Sequence, residues 1–178
     1  MVTRKLQLKQ RYDETAKIYD KRYEEIQHAK YRLVLENLPS KIKRLLDLGC
    51  GTGMFLNELS SRSEFVVGLD VSSEMLEVAK GRAGRAHLVL ADADALPFID
   101  GSFDVVVSVT LLQNMPDPTA TLRETVRVLR PGGTAVFTVL KKKHSLTELE
   151  TWMRLVGMRV IKSGEMDENE DVYCVARL

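Results

Sequence analysis

Cysteine is scarce: Cys50 and Cys174 are the only two among 178 residues, and Cys50 lies inside a glycine-rich turn. Disulfides are therefore not expected to hold the fold, and both thiols are expected to be reduced. Long apolar runs are missing as well. No stretch approaches the ~18 residues of a membrane span, and the opening MVTRKLQLKQ lacks the apolar centre of a secretory signal. A cytoplasmic location is expected. Only three histidines occur, and no cluster of Cys and His has metal-ligand spacing, so no bound metal is expected. Internal repeats and low-complexity linkers are also lacking, which leaves nowhere to divide the chain.

What is present is an ordinary globular balance, 44% hydrophobic and 29% charged, which sets the chain apart from disordered sequences. A chain of this length buries roughly 70% of its unfolded surface. One domain over 1–178 is expected, with a helical segment (1–44) lying over a catalytic core (45–178). The net charge of +1 is unevenly spread: residues 1–44 hold 12 Lys/Arg against 6 Asp/Glu, 45–144 hold 10 against 12, and 145–178 hold 4 against 7. Such a basic start either attracts an anionic partner or merely solvates a helix face.

From Gln10 to Leu38, apolar or aromatic residues at Tyr12, Ala16, Tyr19, Tyr23, Ile26 and Leu33/Val34, with Lys30 as one miss, follow helical spacing. Pro39 and Ser40 end that helix. Short apolar runs at 45–49 (LLDLG) and 65–71 (FVVGLDV) flank a helical span, Met54 to Ser61, giving a β-α-β unit. Further strands are expected at 87–93, 103–112 and 134–140, and the last two at 158–163 and 172–177. Helices are expected from a Ser72 or Ser73 cap to about Gly81, and from Asp117-Pro118 to the stop at Pro131-Gly132-Gly133. Another opens on a Ser145/Glu148 capping box and buries Leu149, Trp152 and Val156. Strands alternating with helices predict an α/β three-layer sandwich on a mostly parallel sheet. The short polar link MDENED between the last two strands predicts an antiparallel hairpin there.

The segment LLDLGCGTG (45–53) places a glycine turn at the carboxyl end of the first strand, where open α/β sheets bind nucleotides. A dinucleotide fingerprint needs a third small residue, which in the two possible registers would be Met54 or Leu56. Both registers fail, and no Gly-Lys-Ser/Thr follows to make a phosphate loop. What remains is an acid, Asp47, before the glycines, and a second, Asp70, ending the next strand 17 residues past Gly53. Asp70 can accept both hydroxyls of a ribose, and Asp47 repels a pyrophosphate but suits an ammonium or sulfonium group. An adenosine with a cationic, phosphate-free tail fits this pattern. The alternative for Asp47 is a brace for the turn.

Five segments in register then resemble class I S-adenosylmethionine-dependent methyltransferases: LLDLGCGTG, GLDVSSEML, LVLADADALPF, FDVVVSVTLLQNMPDP and VLRPGGTAVFT. They resemble most the group that includes quinone-biosynthesis and small unassigned methyltransferases. The resemblance implies a Rossmann-like seven-stranded sheet with an antiparallel C-terminal strand, and S-adenosylmethionine as cofactor with S-adenosylhomocysteine as product. It also implies that Gly49, Gly51 and Gly53 approach the methionine part, while Asp47 orients its amino group, indirectly. By the same resemblance Asp70 holds the ribose, Met75 packs on the adenine, and Asp92 and the Ala93 N–H meet the adenine amino group. Tyr19, Val71 and Thr110 complete the implied cofactor set, and Asp94 stays a solvated neighbour.

For the acceptor, Gln113 and Asn114 in TLLQNMP and His144 after the fifth strand are the candidate catalytic residues, each with a plain structural alternative. His28 and His87 are expected to be structural or exposed. The TLLQNMP segment departs from the NPPY-type motif for amide and exocyclic nitrogens, and it lacks the paired histidines of related small enzymes. Lys141, Lys142 and Lys143 with Arg4, Lys5, Lys9 and Arg11 predict a basic rim suited to RNA, or simply a soluble one. RYEEIQHAK and LLQNM also resemble minimal methyltransferases that act on translation components with a small zinc-binding activator, so such a subunit, or a homodimer, is an expected partner. Three functions stay open: transfer to RNA or protein of the translation machinery, transfer to a small quinone-type molecule, or a cofactor-binding subunit needing a partner.

Overall fold

The computed structural model describes residues 4–166 and 170–178, and all side chains within them except those of residues 4, 5 and 17–24. Helix α1 (Arg4–Glu36) opens the chain and is longer at its start than the apolar spacing predicts. Its buried face is also rotated. Gln27, Lys30, Tyr31 and Val34 are buried, whereas Ile26 is 46% exposed. The apolar stripe puts Ile26 inward and makes Lys30 a miss, but Tyr31 stacks on Phe55 with centroids 3.7 Å apart and Lys30 finds a buried acid. Specific partners, not average polarity, set the rotation of this helix.

The sheet takes seven strands: β1 (Arg44–Leu48), β2 (Phe65–Asp70), β3 (His87–Leu90), β4 (Phe103–Val109), β5 (Leu129–Leu140), β6 (Arg159–Glu165) and β7 (Asp171–Arg177). They lie in the order β3-β2-β1-β4-β5-β7-β6, so β1 and β4 are neighbours from which the chain runs outward in opposite directions. A crevice opens at such a reversal. The pairs from β3 across to β5 are parallel, and β7 runs antiparallel between β5 and β6, so the predicted hairpin forms with its second strand innermost.

Helices α2 (Leu56–Arg62), α3 (Ser73–Lys80), α4 (Pro118–Val128) and α5 (Leu146–Leu155) follow the predicted signals closely. The Ser72 hydroxyl accepts from the Met75 N–H, the Asp117 carboxylate from the Thr119 N–H, and Ser145 with Glu148 forms the reciprocal capping box. Alternation along the strands splits the core into two layers. Leu46, Leu48, Val106 and Phe137 pack with Leu122 of α4 and Leu149 of α5, while Leu45, Val105 and Val107 pack with Tyr31, Leu59 and Leu76 of α1, α2 and α3. The sheet is thus the middle of three layers.

Three predicted strand limits change. β3 ends at Leu90 because the Ala91 N–H bonds back to Asp70 and Asp92 then turns the chain, its carboxylate accepting from the Asp94 N–H at 3.0 Å. β4 ends at Val109 because Thr110 adopts a left-handed φ of 56° and a short 3-10 helix (Leu112–Asn114) follows. β5 starts at Leu129, before the Pro-Gly-Gly stop. Leu129 already pairs with Phe103, and the ladder shifts register before Thr134 meets Val105.

Candidate functional site

A cavity of about 350 Å³ opens where the carboxyl ends of β1, β2, β3 and β4 diverge. Its floor is Gly49, Gly51, Leu69 and Asp70, one side is Met75 with Ala91 to Ala93, and the other is Val109 to Leu111. Leu6, Leu8, Lys9 and Tyr12 of α1 close it from above, with Asn114 and Met115 alongside. A small cavity of about 40 Å³ continues beyond Gly49 and Gly51 towards Gln27, Tyr31 and Phe55.

The three glycines do different work. All have positive φ, the region that favours glycine. A Cβ on Gly51 would meet nothing within 4 Å, so this backbone faces open space, whereas one on Gly53 would lie 2.8 Å from the Ala79 Cβ. Gly53 lines neither cavity and instead lets α2 and α3 approach each other. Gly53 thus has a packing role, set apart from Gly49 and Gly51 at the cavity.

Asp70 is the best placed polar group. One carboxylate oxygen accepts from the Gly51 N–H and the other from the Ser72 N–H, both at 2.9 Å. Its carboxylate lines the cavity, where it can accept from a hydroxyl. Burial raises its carboxyl above the ordinary value, although these N–H bonds oppose the rise. Asp47 lies beneath the turn, outside both cavities and 1% exposed. Burial, with Asp70 nearby, raises its carboxyl to about 7 against the opposing Tyr31 hydroxyl. Asp47 therefore reaches the cavity only through the turn and its field. Cys50, also in the turn, has its thiol pushed well up by burial and is inert.

Met75 is 2% exposed and lines the cavity, so it is both core and wall. The Asp92 to Ala93 wall is held from outside. Arg127 donates to the carbonyls of Phe98 (2.6 Å) and Leu96 (2.9 Å), and the Leu96 N–H donates to Glu124 (2.7 Å). Across the mouth, the Ser72 hydroxyl donates to Asp13 of α1 at 2.5 Å, and the Asn114 amide donates to the Tyr12 hydroxyl at 2.9 Å. Hydrogen bonds from Lys9 and Ser72 hold the Asp13 carboxyl below its ordinary value, against burial.

The family model described as Methyltransferase domain matches residues 46–137. This chain belongs to that family. A malonyl-[acyl-carrier protein] O-methyltransferase from Serratia marcescens is 37% identical over 122 residues, covering 68% of this chain and 48% of the relative. A demethylmenaquinone methyltransferase from Lactococcus lactis is 44% identical over 100 residues, covering 52% and 40%. The chain spans about half the length of the curated relatives it matches. In fold, it is similar to a chain of the complex between the Trm112 methyltransferase activator of Haloferax volcanii and a methyltransferase, with TM-score 0.83, 23% identity, and 93% and 96% of the two chains covered. The S-adenosylmethionine-dependent, class I Rossmann-like type read from the five motifs is thus the type to which this methyltransferase domain belongs.

Within this methyltransferase domain the predicted residues separate. Gly49, Gly51, Asp70, Val71, Met75, Asp92, Ala93, Thr110 and Asn114 meet around the large cavity. Gln113 lies outside it, buried, and its Oε1 has no partner among the described residues. His144 is also outside; its ring meets Trp152 edge-on at 4.7 Å, and its Nδ1 is 3.6 Å from Glu148. Of the three candidate catalytic residues, only Asn114 is at the cavity. The Tyr19 side chain, with those of Arg4 and Lys5, lies outside the described residues. The basic rim is partly neutralised, since Lys141 pairs with Glu165, Lys142 with Glu170 at 3.6 Å and Lys9 with Asp13.

The residues that sequence reasoning missed are Tyr31, Tyr12, Asp13, Lys30 and Asp171. Lys30 and Asp171 form an ion pair at 3.0 Å with side chains 3% and 1% exposed. The available signal was Lys30 itself, a lone lysine on an otherwise apolar stripe.

Proposed function

We propose that this chain transfers a methyl group from S-adenosylmethionine to a small acceptor carrying an apolar body. The observation that carries the cofactor is Asp70, a carboxylate fixed by backbone N–H groups at the cavity beside the open backbone of Gly51. At about 350 Å³ the cavity is at the small end of ligand sites, sized for one nucleoside-like molecule. When bound, S-adenosylmethionine supplies an electrophilic methyl on a sulfonium centre. Around it the chain's own residues bind, orient and exclude water. Asp70 takes the ribose hydroxyls, Met75 and Ala93 the base, and Val71 the open edge. Ionised Asp47, beneath the turn, favours positive charge above it. Asp92, whose carboxylate accepts from the Asp94 N–H, stands on the cavity wall beside Ala93, where an amino group of the base would meet it.

The apolar acceptor is supported by the walls beyond the cofactor residues, Leu6, Leu8, Leu111 and Met115, and by lysines at the rim that are already paired with acids. The relative named for demethylmenaquinone points the same way. These features favour a small acceptor over the RNA expected from the basic rim. Asn114 is the polar side chain placed to meet the acceptor.

Similarity to a chain solved with an activator supports a second reading, in which a partner subunit is needed for turnover. Calorimetry with S-adenosylhomocysteine tests the cofactor, and labelled methyl transfer into small-molecule, protein and RNA fractions tests the acceptor. Micromolar binding with label in the small-molecule fraction is expected. Absence of binding overturns the cofactor assignment, and label confined to RNA with a steep salt dependence overturns the acceptor class.

A further inference from the structure

Thr110 is the only non-glycine residue with positive φ among the described residues, and it lines the cavity. Such a conformation persists only where its surroundings over-determine it. Two hydrogen-bond chains do so here. On one side, the Thr110 N–H donates to the Thr138 carbonyl at 3.0 Å and to the Thr138 hydroxyl oxygen at 3.2 Å. That hydroxyl donates to Asp171 at 3.1 Å, and the same carboxylate oxygen meets Lys30 at 3.0 Å. On the other side, the Thr110 carbonyl accepts from Asn114 at 3.3 Å, and the Asn114 amide also donates to Tyr12 at 2.9 Å. Both chains end on α1, at Lys30 and Tyr12, about five turns apart.

The Lys30–Asp171 pair is an expensive way to fill space. Burial of both ions costs more than a matched apolar pair would, and the second Asp171 oxygen has no partner among the described residues. Burial also depresses the Lys30 ammonium from its ordinary value, although Asp171 opposes this. A pair that adds little to stability but fixes direction suits a positioning role.

We infer that Lys30 and Asp171 are positioning residues that, through Thr138, hold Thr110 in its left-handed conformation, so that the acceptor wall of the cavity is assembled only when α1 is seated. This rests on the methyltransferase reading for the role of the cavity, but not for the existence of the coupling. The chain makes two demands on α1: Tyr12 fixes the carbonyl side of Thr110, and Lys30 the amide side.

The test is amide hydrogen exchange of residues 110–114 without ligand, alongside S-adenosylhomocysteine affinity, in K30M/D171L and in T138V. Folded K30M/D171L is expected to keep its global unfolding midpoint, while residues 110–114 exchange about tenfold faster than in the parent and affinity falls about tenfold. T138V, which leaves Lys30 and Asp171 in place, is expected to give the same local acceleration, whereas K30R restores parental exchange. Unchanged exchange at 110–114 in folded K30M/D171L overturns the coupling, and unchanged exchange in T138V overturns its route. If the parent itself fails to bind S-adenosylhomocysteine, the cofactor reading falls while the exchange data still decide the coupling.

Discussion

The Tyr31 hydroxyl lies 3.1 Å from both carboxylate oxygens of Asp47, so one phenolic proton serves the whole buried acid. One donor is a thin supply for a carboxylate that burial, with Asp70 nearby, raises to about 7. Below that value the folded chain holds a proton that the unfolded chain, with a carboxyl near the ordinary 3.8, releases. The folded state therefore binds more protons between these values, and its stability falls as pH rises through that window. At about 1.4 kcal/mol per unit, the total approaches roughly 4 kcal/mol. Urea unfolding at pH 5 and pH 8 checks this: Asp47→Asn is expected to flatten the difference and to be the more stable form at pH 8. An equally steep profile in the variant would place the titration elsewhere.

The same acid predicts the pH dependence of binding. A cationic ligand favours ionised Asp47, so affinity for S-adenosylmethionine is expected to rise with pH through about 7 and then level off. S-adenosylhomocysteine, which lacks the sulfonium charge, is expected to show a shallower rise in the same calorimetric series. Identical slopes for the two would assign the effect to another group.

Asp70→Ala is expected to cost about 1.5 to 3 kcal/mol of S-adenosylhomocysteine binding, a loss of roughly tenfold to a hundredfold. Part of this comes from the Gly51 and Ser72 N–H groups, which lose their acceptor. Competition with adenosine separates the contributions, since a variant unable to accept from the ribose hydroxyls binds adenosine more weakly as well. Unchanged adenosine affinity would remove the ribose assignment.

Gly53 and Gly51 predict opposite phenotypes. Gly53→Ala places a Cβ 2.8 Å from that of Ala79 at a φ of +69°, and is expected to destabilise by about 2 to 4 kcal/mol. Gly51→Ala meets no atom within 4 Å, so its cost is the left-handed conformation alone, about 1 to 2 kcal/mol, while its methyl enters the cavity and weakens binding. Denaturation and calorimetry on both variants check the contrast. Adding Ala79→Gly is expected to restore part of the Gly53→Ala loss and none of the Gly51→Ala loss.

Local signals were legible in the sequence. Ser72, Asp117 and the Ser145/Glu148 box mark helix starts because a cap satisfies N–H groups within three residues of itself. Asp70 was legible because it ends the second strand at the carboxyl edge of the sheet, where open α/β sheets bind their ligands. Lys30 was not, since its partner Asp171 lies on the last strand and only the completed sheet brings the two together. The early end of β4 was hidden for a related reason: TLL reads as a continuing strand, and Thr138 and Asn114 turn it at Thr110. His144 and Gln113 carried plausible chemistry at plausible chain positions, but the chemistry of a residue says nothing about which way the following loop folds.

Arg127 predicts a variant that acts at a distance. It ties the 96–100 loop to α4 through two carbonyls, Glu124 and Asp100. Arg127→Met is expected to cost roughly 1.5 to 3 kcal/mol of stability and to loosen the Asp92 to Ala93 wall. Chemical denaturation reads the first effect and adenosine affinity the second. Loss of stability with full adenosine affinity would confine Arg127 to the fold.

The cavity has two kinds of wall. The glycine turn and the ends of β2 and β3 belong to the sheet, whereas Leu6 to Tyr12 and Leu111 to Met115 ride on segments outside it. Substrate range and cofactor use are therefore separable traits. Drift or grafting in the two outlying segments that keeps the hydrogen bonds to Thr110 would change what is methylated while leaving the donor, and the scaffold that presents it, as they were.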